Sequence, residues 1–250
     1  MNLKTVRGHL REHGQEHLLA FWELLDEAQR ARLLRQIAEL DWTAVERMRA
    51  LAQAPAPAGG GGDLHPAPVV HLTPGEREAL RRVGAAALRA NHVGVVLVAG
   101  GQGTRLGFDG PKGTFPIAPI TGASLFAIHA RKILARERRY GCALPFYIMT
   151  SPGNDAATRR FFAAHGYFGL QPERVRFFVQ GTHPAFWPDG RIVLEAPDAL
   201  ALSPDGHGGV LAALERHGML DDMARRGLTT LFYFQVDNPL VEIADPVFLG

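Results

Sequence analysis

The sequence VGVVLVAGGQGTRLGFDGPKG, residues 93–113, passes from a β-branched apolar run directly into a glycine-rich segment that carries Arg105 and Lys112. Such a run, near-continuously apolar, suits a strand buried on both faces. Downstream, short apolar runs alternate with helical patterns: 125–138, FYIMTS at 146–151, 155–165, VRFFVQ at 175–180, 210–226 and LFYFQVD at 231–237. This alternation predicts an α/β domain with a mostly parallel sheet and helices on both faces. In such sheets ligands lie outside the carboxyl ends of the strands, so the polar residues that follow each apolar run are the candidates for function.

The first of these candidates are Ala99, Gly100, Gly101, Gln102, Gly103, Thr104 and Arg105, with Lys112 following in Pro-Lys-Gly. Glycines let a backbone approach a phosphate and aim N–H groups at it, and the two cations can stabilise a developing pyrophosphate. A triphosphate site is the natural reading. Two better-known phosphate loops fail on spacing. The dinucleotide fingerprint would need glycine where Leu106 stands, and the P-loop would need glycine at Pro111.

Asp237, at the end of LFYFQVD, is a candidate Mg²⁺ ligand. By itself it reads first as the start of a turn before Pro239; the triphosphate loop on the same sheet edge reverses the balance in favour of the metal. Ser203-Pro-Asp-Gly-His-Gly-Gly209 places Gly206 and His207 before a helix, where they suit close packing against a sugar or base, although Pro-Asp-Gly is also an ordinary turn. Gln180, ending VRFFVQ, can present both a donor and an acceptor to a base edge, or simply be a solvated strand-end amide. The eleven histidines show no paired metal-ligand spacing and read mostly as surface or tether residues.

Upstream, residues 15–52 carry Leu18, Leu19, Phe21, Trp22, Leu25, Leu33, Leu34, Ile37 and Leu40 at helical spacing, a stripe that predicts two or three amphipathic helices and serves packing rather than ligand contact. A Gly/Pro-rich tether at 55–72 cannot build a core and divides a helical arm, 1–54, from a nucleotidyltransferase α/β domain, 73–250. A short helix is expected at 74–88, with Thr73 as cap, Pro74 at its first position and Glu76 completing a capping box.

The 250 residues carry a formal charge of only +2, too small a field to suggest a nucleic-acid or membrane-surface partner, so a bound anion must be held by local geometry. Cys142, the single cysteine, excludes an internal disulfide and fits a reducing compartment. The first residues lack the apolar core of a signal peptide, and a cytoplasmic location is the expectation.

Taken in order, VVLVAGGQGTRLGFDGPKG, FYIMTS, HGYFGL, QG, PDGHGG, VDN and ADPVFLG resemble the eukaryotic-type UDP-N-acetylglucosamine pyrophosphorylases and their UDP-sugar pyrophosphorylase relatives, and GQEHLLAFWELLDEAQ resembles their helical arm. The resemblance implies a nucleotide-diphospho-sugar transferase fold, GT-A-like and Rossmannoid, with a mixed sheet. It implies a uridylyltransferase that forms a UDP-sugar and pyrophosphate from UTP and a sugar 1-phosphate, with Mg²⁺ as cofactor. By the same matching, Ala99 to Arg105 would wrap UTP, Lys112 would hold its phosphates, Gln180 would contact uracil, Gly206 and His207 the nucleotide or sugar, and Asp237 the metal. Arg105 and Lys112 would stabilise charge during transfer. N-Acetylglucosamine 1-phosphate is the expected sugar. His207 stands where those enzymes carry Asn and looks more like the UDP-glucose enzymes, which keeps a UDP-glucose or general UDP-sugar activity open. The family draws further sugar contacts and a C-terminal domain from beyond position 250, so the chain is expected to end before the fold is complete, and a non-catalytic nucleotide-sugar-binding fragment remains a third reading.

Overall fold

A computed structural model describes residues 3–54 and 65–250; the side chains of Ala52 and Arg105 are not among those described. In chain order the regular elements are α1 (Leu3–Glu12), α2 (Glu27–Glu39), α3 (Trp42–Gln53), α4 (Pro74–Arg89), β1 (Val93–Val98), α5 (Leu125–Tyr140), β2 (Phe146–Thr150), α6 (Asp155–Ala164), β3 (Val175–Val179), β4 (Thr182–Pro184), β5 (Leu194–Ala196), β6 (Ala199–Leu200), β7 (Leu202–Pro204), α7 (Val210–Arg216), α8 (Met219–Arg225), β8 (Thr230–Gln235) and α9 (Pro246–Leu249).

Four strands form one sheet in the order β3-β2-β1-β8, with every pairing parallel. Alternation along β1 divides its side chains between two cores. Val93, Val95 and Leu97 join Leu88 of α4, Leu125, Phe126 and Ile133 of α5 and Phe162 of α6 on one face. On the other, Val96 packs with Tyr147, Phe178, Val210, Ala213, Leu214 and Met223, which brings in α7 and α8. The expected sheet with helices on both faces is what forms. Antiparallel pairing occurs outside this sheet, in β4 with β7 and β5 with β6.

The path of the chain through the sheet sets the position of the site. From β1 it moves outward to β2 and β3, then returns to add β8 on the opposite side of β1. The β1–β8 boundary is therefore a topological switch point, where loops leaving adjacent carboxyl ends diverge and leave a crevice.

Capping at α4 follows the sequence expectation: Glu76 N–H donates to Thr73 Oγ1 at 3.3 Å, and Thr73 N–H to Glu76 Oε2 at 2.8 Å. The span 210–226, read as one helix, is two, because Gly218 at φ +67° ends α7 and starts α8 in a left-handed conformation open to glycine. In the N-terminal region α1 precedes the stretch in which helical spacing is visible, and residues 16–19 and 22–24 form single 3₁₀ turns.

Contacts divide the chain into two compact units. One contains α1–α3 together with Thr182–Pro204; the other consists of Pro68–Gly181 and Asp205–Gly250. Thr182–Pro204 lies within the span assigned from sequence to the α/β domain, yet packs with the helices. Ile192 and Leu200 join Leu10, Leu18, Leu33, Ile37 and Val45 in their core, where the stripe of leucines is buried as packing. Buried Gln15 accepts from Ile192 N–H at 2.8 Å and donates to Gly190 O at 3.0 Å, side-chain bonds that no periodicity announces. Of the 55–72 tether, residues 55–64 lie outside the described residues and 65–72 have no regular structure.

Candidate functional site

Every site residue expected from sequence lies in the α/β unit. After β1, Ala99 is fully buried and its N–H donates to Met149 O at 2.8 Å. The loop then doubles back. Gly103 N–H bonds Gly110 O at 2.9 Å and Lys112 N–H bonds Gly101 O at 3.1 Å, so that Gln102 and Pro111 form an antiparallel bridge. This return lays the Lys112 side chain along the Gly101 backbone: a Cβ on Gly101 would lie 3.7 Å from Lys112 Cε. Thr104–Leu106 form a 3₁₀ turn that includes Arg105, whose side chain is not described.

Asp237 stands just beyond β8. Lys112 Nζ donates to its Oδ2 at 2.9 Å, with the two side chains 25% and 48% exposed. A cation and a carboxylate are thus delivered by the loops that leave the two strands of the switch point, both within reach of solvent and of a polar ligand. Such partial exposure limits what the pair contributes to stability, so its placement calls for another explanation.

Gln180 follows β3 and is 5% exposed. Its backbone N–H bonds Thr150 O at 2.9 Å, while its side-chain amide lies against Gly100, where a Cβ would come 2.7 Å from Nε2. Among the described residues no hydrogen bond engages that amide, so a donor and an acceptor stay uncommitted beside the glycine loop. At this burial it is far less exposed than the solvated strand-end glutamine of the bland alternative.

Gly206 adopts φ +59° and opens a 3₁₀ turn, Gly206–Gly209, ahead of α7. His207 is exposed, its Nδ1 hydrogen-bonded to the Tyr233 hydroxyl of β8. Asp205 lies between Gly181 and Gly209, both of which lack room for a Cβ because of its carboxylate. Asp205 N–H donates to Gly181 O at 3.0 Å, tying the 204–209 turn to the residue after Gln180.

Asn154 is a contributor that the sequence reading missed. It is 1% exposed; its Nδ2 donates to Ala99 O at 3.0 Å and Gly101 O at 3.3 Å, and its Oδ1 accepts from Ser151 N–H at 2.8 Å. It fixes the start of the glycine loop to the end of β2. Its signal was positional, since Ser-Pro-Gly-Asn follows FYIMT on the same edge of the sheet. His129 departs from the surface reading given to most histidines, being completely buried on α5.

Among the described residues no group of three or more His, Cys, Asp or Glu side chains is arranged to hold a metal by itself. A single solvent-reachable carboxylate beside a glycine-rich loop does fit a hard cation that keeps waters and shares its ligation with a bound anion, the mode Mg²⁺ favours. No helix among the described residues is long and apolar enough to cross a membrane.

Residues 72–250 match the family model described as UTP–glucose-1-phosphate uridylyltransferase. The chain is 39% identical over 259 residues to UDP-N-acetylglucosamine diphosphorylase 1 of Arabidopsis thaliana, covering 96% of this chain and 51% of that protein. It is 40% identical to the human UDP-N-acetylhexosamine pyrophosphorylase-like protein 1, covering 99% and 52%. The crystal structure of the uridine diphosphate N-acetylglucosamine pyrophosphorylase of Trypanosoma brucei, in complex with an inhibitor, superposes with a TM-score of 0.79 at 31% identity, covering 99% of this chain and 53% of that one. The chain spans about half the length of these relatives. With a family model matching most of its length, the chain belongs to the UTP–glucose-1-phosphate uridylyltransferase family.

Proposed function

We propose that this chain supplies the nucleotide-binding machinery of a nucleotidyltransferase that joins UTP to N-acetylglucosamine 1-phosphate, releasing pyrophosphate. The observation that carries the reading is the Lys112–Asp237 pair, 2.9 Å apart across the β1–β8 switch point. The names of the relatives at about 40% identity support the sugar.

The reaction needs a phosphate held in line, not a covalent enzyme intermediate. The anionic oxygen of the sugar phosphate attacks the α-phosphorus of UTP, and pyrophosphate leaves. The backbone of Gly100, Gly101 and Gly103 approaches the triphosphate without side-chain obstruction. Lys112 exchanges its carboxylate partner for phosphate oxygens, stabilising the charge that builds on the leaving group, and Arg105 on the same loop adds a second cation. Gln180 offers its uncommitted amide to uracil, and Gly206 and His207 border the nucleotide or sugar. Asp237 is the residue that would hold Mg²⁺, which when bound would supply charge neutralisation to the phosphates.

A UDP-glucose or broader UDP-sugar activity is the second reading, motivated by His207 and its bond to Tyr233. Pyrophosphate release from UTP and Mg²⁺, measured in parallel with N-acetylglucosamine 1-phosphate and glucose 1-phosphate, separates the two. Preferential release with the acetylated sugar supports the proposal. Preference for glucose 1-phosphate rejects its sugar assignment, and UTP binding without release from either leaves a nucleotide-binding module.

A further inference from the structure

We propose that a row of donors on α5, His129, Lys132 and Arg136, sets the position of the Asp237 carboxylate and so governs metal-dependent nucleotide binding; this rests on the role given to Asp237 above. The three residues follow an i, i+3, i+7 spacing and therefore share one helix face. That face meets the segment 236–243 that carries Asp237 out of β8. His129 Nε2 bonds Val236 O at 2.9 Å, Lys132 Nζ bonds Pro239 O at 2.7 Å and Val241 O at 2.8 Å, and Arg136 Nε bonds Ile243 O at 3.0 Å.

The segment's own backbone bonds are longer. Asn238 N–H reaches Gln235 O, and Val241 N–H reaches Asn238 O, each at 3.4 Å. Two of the three short side-chain donors are cationic, and charge-assisted bonds of this length are the stronger kind. Val236 N–H also bonds Val98 O and Leu240 N–H bonds Asn238 Oδ1, each at 3.1 Å, so α5 holds the path of the loop together with the strand end and the turn.

His129 makes the argument specific to the site. It is completely buried, set edge-on to Phe234, and its Nδ1 has no partner among the described residues. A carbonyl partner requires the proton on Nε2, which leaves Nδ1 a bare acceptor in an apolar setting. An aliphatic side chain would fill this space without that penalty. What histidine adds is a fixed donor to Val236 O, the carbonyl of the residue immediately before Asp237. These are positioning residues, acting on the metal through Asp237, and groups that orient a ligating carboxylate commonly tune metal affinity.

The test is calorimetric titration of the chain with UTP, in Mg²⁺ and in EDTA, for the parent and for Lys132→Met, His129→Leu, His129→Gln and Asp237→Asn. The ratio of the two affinities is the readout, because a general loss of structure would weaken both arms together. Lys132→Met keeps the aliphatic stem of a partly exposed side chain and is expected to fold. It should reduce the Mg²⁺ enhancement about tenfold while leaving binding in EDTA near the parent value. His129→Leu should do the same, and His129→Gln, which can still donate, should recover part of the loss. If Lys132→Met retains the parent's enhancement while Asp237→Asn abolishes it, the α5 row has no positioning role. If Asp237→Asn itself retains the enhancement, the metal role of Asp237 fails and takes this inference with it.

Discussion

Gly113, the residue after Lys112, is buried against Phe126 in the core shared by α5 and the sheet. A Cβ built on it meets three carbons of that ring, and even the farthest of them, Cε1, would be 2.5 Å away. Ordinary carbon–carbon contact begins at about 3.5 Å, so Gly113→Ala demands a movement on the order of 1 Å. Phe126 cannot easily supply it, being completely buried and packed on Phe162 at a ring-centroid distance of 4.9 Å. The strain must appear either as displacement of the ring or as displacement of the 111–114 turn that aims Lys112. Overpacking of this kind costs about 1–3 kcal/mol. For a domain of this size each kcal/mol lowers the thermal midpoint by about 2–4 °C, giving an expected drop of roughly 2–12 °C. Thermal denaturation of Gly113→Ala, Phe126→Leu and the double variant reads this directly. The smaller leucine should make the alanine cheaper, so the double variant is expected to be more stable than the sum of the single losses by at least about 0.5 kcal/mol. A Gly113→Ala midpoint within 1 °C of the parent, or strict additivity, would refute the account of why glycine is needed here.

Gly100→Ala tests a different response: its Cβ would meet the flexible Gln180 amide, so the midpoint should hold while UTP affinity falls about tenfold, and unchanged affinity would remove Gln180 from the base site. Lys112→Ala should lower turnover by roughly 10²-fold, as loss of a preorganised charge stabiliser commonly does, and unchanged turnover in steady-state assays would end its catalytic assignment. Burial alone would raise the Asp222 pKa, but bonds from Arg226 and Tyr147, each at 2.8 Å, outweigh it and hold the carboxyl below its ordinary value. A depressed folded pKa gives stability that is present above the unfolded value of about 3.9 and is lost as pH falls through the folded one. Asp222→Asn should therefore be less stable than the parent near neutrality by about 1–3 kcal/mol, with the two converging in strong acid; a gap that is constant from pH 7 to pH 2 in denaturant titrations would contradict this.

The sequence by itself determined the class of fold and singled out most of the residues that gather at the β1–β8 edge, because both are encoded locally. Apolar runs alternating with helical stripes specify layers, Thr73 and Glu76 specify a helix start, and glycines with Lys112 specify a loop of open backbone beside a cation. Adjacency across the sheet is not local. That Lys112 meets Asp237, 125 residues later, depends on β8 pairing with β1 rather than extending the far edge, an arrangement in which Phe232 and Phe234 are buried in the core shared with α5. Likewise the burial of Gln180 over Gly100, the Asn154 clamp on the loop, and the packing of Thr182–Pro204 with the N-terminal helices required tertiary structure. Periodicity records which face of an element is apolar. Which partner covers that face, and which polar groups are thereby brought within a hydrogen bond of each other, is settled only when the whole chain has packed.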